Sequence, residues 1–334
     1  MRKKNLLVAV LITGVLLFAG KNACHAEKLF VGYAGLGADL SHVWIFKEAG
    51  LFEKYGLDVV PIYFSGGRPL MQALLAGNIQ LAATGGITSV RSIVAGGELI
   101  IVAGYLNKIA SAFFTAKEIT RPEQLKGKVA AISGFGTSSH ALTEMALKRL
   151  GLIPIKDVAI VQVGDQTARF AALQANTVQG TIIAPPFTLL ARRNGFNLML
   201  DLPNAGIPWL QQVIIASKSF LVSKPDTARN FMKGFVEGLA LWQNDRDKTT
   251  KLLARFMRID IKKNADILTE AYDYMKNIAE KKPYPSVEAI RLQLDMIAET
   301  DPKAKEIRPD QVLDLKVLRE IDESGFIDRL YHKR

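Results

Sequence analysis

Gly56-Leu57-Asp58-Val59-Val60-Pro61-Ile62-Tyr63-Phe64-Ser65-Gly66-Gly67, running on through Ala73-Leu74-Leu75-Ala76-Gly77-Asn78-Ile79-Gln80-Leu81, decides the fold because the chain says it twice. The second copy runs from Gly151-Leu152 through Gly164-Asp165 to Ala172-Leu173-Gln174-Ala175-Asn176-Thr177-Val178-Gln179-Gly180. Each copy reads as helix, glycine stop, apolar strand, glycine-containing turn, short apolar helix and another strand. A unit of this length used only twice is no solenoid, which needs several shorter repeats to bury a continuous core. Two similar lobes facing each other are expected, with a ligand between them.

Working outward, Leu29 to Gly32 reads as a strand entering the turn Gly35-Leu36-Gly37-Ala38-Asp39-Leu40-Ser41, with Asp39 or Ser41 as the cap of the helix that follows. Asp58 to Phe64, Ile79 to Ala83 and Leu99 to Gly104 are further strands, alternating with helices over Leu70 to Ala76 and Ile87 to Ala95. The second lobe opens after Arg121 to Gly127. It continues with strands over Lys128 to Ile132, Val158 to Val163, Gly180 to Ile183 and Leu198 to Asp201, and helices over Ser139 to Leu150, Thr167 to Ala175 and Pro186 to Asn194. Such alternation predicts an α/β fold, each lobe a mostly parallel sheet covered by helices. Pro203 to Pro208 reads as a return crossing, and Val213 to Ala216 as a strand rejoining the first lobe. Beyond Lys224-Pro225-Asp226 the period is helical: Ala228, Phe231, Met232, Phe235, Leu239 and Trp242 share one face, and the later helices are expected to pack on the first lobe.

Arg2-Lys3-Lys4, the apolar run Leu6 to Gly20, and the small residues Cys24 and Ala26 match a secretory signal peptide cleaved after Ala26. The run falls short of the roughly 20 apolar residues that span a bilayer. Lipidation at Cys24 is the lesser alternative, since Lys21-Asn22-Ala23 suits it poorly. The sequence has one cysteine, Cys24, so removal of the leader excludes disulfides, thiolate metal sites and cysteine nucleophiles. It also takes away four basic and no acidic residues, lowering the formal charge from +11 to +7. This mild excess is spread without a Lys/Arg block, which favours encounter with anions and gives no nucleic-acid footprint.

Ligands of open parallel sheets sit where strand ends lead into helix starts. Those turns hold Gly37, Ser41 and His42; Ser65 and Gly66; Thr84 and Gly85; and, from the other lobe, Gly136, Thr137 and Ser138. Glycine lets a ligand approach the backbone, the hydroxyls supply hydrogen bonds, and a helix start offers unpaired N–H groups to an anion. Tyr105 and Trp209 are the aromatic candidates for the cleft; Trp44, Phe135 and Phe187 are weaker ones, and Trp242 belongs to the core. Arg68 could clamp an anion, although a solvent-facing role at a helix start suits it better. The scattered histidines make no metal-ligand spacing, Gly134-Phe135-Gly136 is not a dinucleotide fingerprint, and the pocket loops offer no convincing base beyond His42. No metal, cofactor or catalytic residue is therefore expected.

Phe46-Lys47-Glu48-Ala49-Gly50-Leu51-Phe52-Glu53-Lys54-Tyr55-Gly56-Leu57-Asp58-Val59, the Ala73 to Thr84 segment, and Leu125-Lys126-Gly127-Lys128-Val129-Ala130 with its Gly/Ser turn together resemble the substrate-binding proteins of ABC importers for nitrate, sulfonate, taurine and thiamine-pyrimidine precursors. The resemblance spans essentially the whole chain after the leader. It implies the type II periplasmic-binding-protein fold: residues 27–110 plus 206–334 as one lobe, 111–205 as the other, closing by hinge motion. It further implies a monomer in the periplasm that delivers a small polar or anionic ligand to an ABC permease in the inner membrane. The alternative is an enzyme on the same fold, resembling pyrimidine-precursor synthases or dehydratase-like proteins of menaquinone synthesis.

Overall fold

The computed structural model describes residues 27–332; the expected leader lies outside them. The first described strand, β1 (Glu27–Tyr33), pairs in parallel with β2 (Leu57–Tyr63) and β3 (Leu81–Thr84). Helices α1 (His42–Glu48), α2 (Gly67–Leu75) and α3 (Gly86–Val94) connect these strands and lead to β4 (Leu99–Lys108). The chain then leaves for a second sheet made of β5 (Ala112–Thr115), β6 (Lys128–Ile132), β7 (Val158–Gln162), β8 (Gly180–Ile183) and β9 (Asn197–Leu200). Its helices are α4 (Ser138–Arg149), α5 (Gln166–Gln174) and α6 (Phe187–Arg193). The return crossing delivers β10 (Pro208–Ser217) to the first sheet.

Strand order is β2-β1-β3-β10-β4 in one sheet and β7-β6-β8-β5-β9 in the other. Each sheet is mixed: β10 runs antiparallel to β3 and β4, and β5 antiparallel to β8 and β9. The reversed strand of each sheet adjoins a crossing, which is why both crossings lie side by side between the lobes. The sequence repeat is literal in space. Gln80 bonds Phe30 through both its backbone N–H and its side-chain oxygen, and Gln179 bonds Val129 in the same two ways. Gly56 and Gly151 end the preceding helical turns at φ of 76° and 74°, the left-handed region open to glycine.

Strand β5 has no counterpart in the sequence reading. Ala112-Phe113-Phe114-Thr115 is fully buried, and so short an apolar run carries no period to identify it. Strand β10 is longer than expected, and its register shifts on both sides of Gln212.

The remaining chain is helical: α7 (Lys218–Ser223), α8 (Pro225–Asn244), α9 (Arg246–Met257), α10 (Ala265–Ile278), α11 (Val287–Ala298), α12 (Lys316–Glu323) and α13 (Phe326–Tyr331). The predicted face of α8, Ala228 to Trp242, is buried throughout and packs with Val43, Phe46, Leu253 and Tyr272. On the opposite face of the first sheet, Leu70, Val90 and Ile290 join a core continuous with that of the second lobe. Among the described residues no helix is long and apolar enough to cross a membrane.

Candidate functional site

Between the sheets lies a cavity of about 80 Å3, walled by both lobes and by the crossings. Holding a water takes on the order of 10–15 Å3 measured this way, so in this arrangement the space suits a small solute. The first lobe contributes Asp39, Thr84, Gly85 and Thr88 and, from β10, Gln211 and Gln212; the crossing after β4 contributes Ser111, and the second lobe Ser133, Thr137, Ser138, Asp165, Gln166 and Arg169.

The local sequence explains how these groups arrive. After β6, Ser133-Gly134-Phe135-Gly136-Thr137 turns into α4, and the hydroxyls of Ser133, Thr137 and Ser139 bond one another at 2.8–3.1 Å. Thr137 also donates to the Gly134 carbonyl at 2.6 Å. Its hydroxyl is thus spent on the turn, whereas the buried Ser138 Oγ has no protein partner. After β7, Gly164 (φ 116°) reverses the chain, and Asp165 caps α5 by accepting from the Ala168 N–H at 3.0 Å. That cap orients the first turn of α5, bringing Gln166 and Arg169 to the cavity. Arg169 donates to the Ile182 carbonyl at 2.7 Å and to the Asp165 carbonyl at 3.4 Å. Burial lowers its guanidinium to about 10, against the opposing pull of Asp165 and Asp39, so it stays cationic at neutral pH.

Asp39 faces it from the first lobe and is only 3 % exposed. Gln212 and Gln211 donate to its Oδ2 at 3.0 and 3.2 Å, and Gln166 crosses the cleft to its Oδ1 at 3.4 Å. Burial raises the Asp39 carboxyl and the three amide donors oppose the rise. Gln211 and Gln212 are adjacent yet both reach the cavity, because the irregular pairing around Gln212 breaks the usual alternation of faces along a strand.

The lobes touch directly. Tyr63 donates to Asp165 Oδ2 at 2.8 Å, and the Ala38 N–H to the Pro185 carbonyl at 3.3 Å. A β-carbon on Gly37 would fall on the Gln166 side chain, and one on Gly85 on Ser138. These glycines admit a side chain of the opposite lobe.

Of the sequence candidates, Thr84, Gly85, Thr137 and Ser138 line the cavity. Gly37 stands behind its wall against Gln166; Gly66 approaches the Ser133 carbonyl across the cleft, and Ser65 is exposed beside Gly164. Gly136 lies against Arg91 outside the cavity, and Ser41 spends its hydroxyl on the Ala38 carbonyl at 2.7 Å. His42, Tyr105 and Trp209 do not line the cavity. His42 is fully buried, stacked on Trp242 at 4.6 Å and tilted against Tyr105 at 4.8 Å. Burial depresses its imidazole to about 3. Trp209 sits on β10 with its ring in the core. The helices after β10 cover these three aromatic positions, and nothing local in the sequence announces that cover. Arg68 is exposed at the start of α2.

The sequence reading missed Asp39 as a cavity group, Gln166, Arg169, Gln211 and Gln212. Asp165 followed four residues later by Arg169 was the available signal, since a capping acid places the residue one turn on along the same face. Among the described residues no cluster of three or more His, Cys, Asp or Glu could hold a metal.

The family described as NMT1/THI5 like matches residues 39–248, and the chain belongs to it. A protein of Brachyspira hyodysenteriae named as an ABC transporter periplasmic binding protein is 25% identical over 257 residues, 72% of this chain and 71% of the relative. An Escherichia coli protein named as aliphatic sulfonates-binding is 27% identical over 59% of this chain and 61% of its own. The alkanesulfonate-binding protein SsuA from Xanthomonas axonopodis pv. citri, solved bound to MOPS, shares the fold at a TM-score of 0.71 and 19% identity, covering 86% of this chain and 98% of that one. The two-lobed α/β architecture of periplasmic binding proteins is thus the architecture of this chain, and these relatives are named as binding proteins, not enzymes.

Proposed function

We propose that this chain is an extracytoplasmic solute-binding protein that captures a small polar solute by lobe closure and hands it to an ABC permease. The observation that carries the reading is a small polar cavity whose wall is shared between two lobes joined by two crossings. Contacts made only when both walls meet favour the closed state, so binding and closure are one equilibrium. The names of the relatives support delivery to an importer and make sulfonates the first solutes to try. The domain limits at 110/111 and 205/206, a periplasmic address and a monomeric state belong to the same proposal.

The test is thermal denaturation of residues 27–334 against sulfonates, nitrate, carboxylates, pyrimidines and amino acids, with small-angle scattering on any solute that raises the midpoint. A ligand bound only by the folded state raises it in proportion to the logarithm of its concentration. A concentration-dependent shift with a contracted radius of gyration supports the reading. Conversion of a bound solute to product would overturn it in favour of an enzyme.

A further inference from the structure

Three titratable side chains line the cavity, namely Asp39, Asp165 and Arg169. Two carboxylates against one guanidinium is an odd wall for a site reserved for anions. Asp165 is internally committed: one oxygen caps α5 and the other takes the Tyr63 hydroxyl. Asp39 is held differently. An ionised carboxylate offers about four acceptor positions; besides the residue's own backbone N–H and the two amides on Oδ2, the Asp39 carboxylate receives on Oδ1 a long 3.4 Å bond from Gln166. Beside it, Gln212 is 4 % exposed and turns its Nε2 to Asp39, leaving Oε1 buried with no partner. Gln211 bonds in the same sense through its Nε2. Together these two residues present acceptors to the cavity: a carboxylate oxygen with spare capacity and an orphaned amide oxygen. A buried acceptor left unpaired costs free energy that an incoming donor recovers. The same cavity is lined by the unpartnered Ser138 Oγ at the start of α4 and by the Arg169 guanidinium, whose two hydrogen bonds go to backbone carbonyls and whose charge Asp39 faces.

Resting on the solute-binding reading above, the geometry points to a ligand with a cationic, N–H-bearing head, a protonated amine or amidine, seated on Asp39 and Gln212 Oε1. An acidic group on the same molecule is accommodated by Ser138 and Arg169. A simple anion brings no N–H to Gln212 Oε1 or to the spare Asp39 oxygen and leaves both acceptors unpaired.

Matched solutes that differ only in the amine test this by isothermal titration: 2-aminoethanesulfonate against ethanesulfonate, and 3-aminopropanoate against propanoate, with nitrate as the bare anion. The amine-bearing member of at least one pair is expected to bind about tenfold or more tighter, the discrimination typical of a charge-assisted hydrogen bond. Asp39→Asn should collapse that ratio toward one, a change that general loosening of the fold would not produce. Gln212→Leu should reduce it while leaving Asp39 in place, so the inference survives poor folding of either variant. Equal or tighter binding of the amine-free members or of nitrate overturns the cationic head and leaves solute capture standing. Silence from every solute overturns the head as stated, and silence across the wider panel as well would take the receptor reading with it.

Discussion

The two lobes use one α/β unit, yet they equip the same turn differently. After β2 the first lobe enters α2 through Ser65-Gly66-Gly67, with no side-chain cap. After β7 the second enters α5 through Gly164-Asp165-Gln166, with a capping carboxylate and two cavity side chains following it. The first lobe obtains its charge elsewhere, from Asp39 in the turn after β1. The equivalent turn after β6 is filled with hydroxyls. Each lobe is thus bare where its partner is armed, and the glycines of one receive the side chains of the other. The two units share one backbone geometry and carry different chemistry in the turns that face each other.

That inequality is testable, and the largest effect concerns the core behind the first lobe. The folded chain holds His42 at about 3, against 6.5 when exposed. The unfolded chain therefore takes up a proton first as pH falls. The stabilisation is complete above pH 6.5 and is lost as pH drops toward 3, amounting to up to about 5 kcal/mol. Urea denaturation across this range should show wild-type stability falling with pH more steeply than in His42→Phe. Parallel slopes would remove His42 as the cause. Raised Asp39 works in the opposite sense, since ionising it costs the folded state as pH rises; comparison of the two proteins cancels that contribution.

Next come the bare positions. Gly37→Ala and Gly85→Ala each place a methyl where a side chain of the second lobe must sit. Overpacking of this kind costs about 1–3 kcal/mol; in Gly85→Ala it falls on the closed state, whereas the Gly37 methyl also meets Asp39 Oδ1 of its own lobe. Solute affinity should fall by about tenfold to a hundredfold in both, and the midpoint of ligand-free melting should barely move in Gly85→Ala. Unchanged affinity would mean that the functional closed state is looser than the one described.

Asp165 and Tyr63 separate capping from closure. Asp165→Ala loses the α5 cap, worth about 1 kcal/mol, and the cross-lobe bond, worth about another 1 kcal/mol. Tyr63→Phe loses only the latter. Melting of the ligand-free protein and solute titration should place the first variant in both readouts and the second in affinity alone. Within the hydroxyl-rich turn, Ser138→Ala should weaken solute binding by about fivefold, an ordinary hydrogen bond. Thr137→Ala should act first on the turn, because its hydroxyl already bonds the Gly134 carbonyl. A solute affinity sensitive to Thr137 and indifferent to Ser138 would reverse this assignment. Smallest is Arg193→Ala, which removes the exposed ion pair to Asp266 between α6 and α10. Exposed pairs contribute about 0.2–1 kcal/mol, so affinity should change no more than a few-fold, and less in high salt.

The repeat, the glycine stops, the strands after Gly56 and Gly127, and the amphipathic face of α8 were all legible in the letters, because each is a local statement about period or backbone conformation. Thr84, Gly85, Thr137 and Ser138 were legible for the same reason: they stand at strand ends, and the α/β alternation fixes which ends converge. Partnership was not legible. His42 looked like a pocket residue because it follows the Asp39 turn, but α8 and α10 bring Trp242 and Tyr272 from some two hundred residues away to bury it. Trp209, next to the expected crossing, reads as a cleft residue, whereas β10 begins at Pro208 and the Trp209 ring lies in the core. Gln211, Gln212 and Arg169 were passed over because an amide or a guanidinium has no signature until its neighbours are known.

The sequence by itself determined a two-lobed α/β protein with a cleft at its strand ends, since periodicity, turn residues and repetition act over a few residues and survive in the one-dimensional record. Only the tertiary structure decided what the cleft is made of. Its acceptors, its guanidinium and its interlocking glycines come from segments far apart in the chain, and burial by distant helices sets which polar groups keep partners, which keep charge, and which are left facing the ligand.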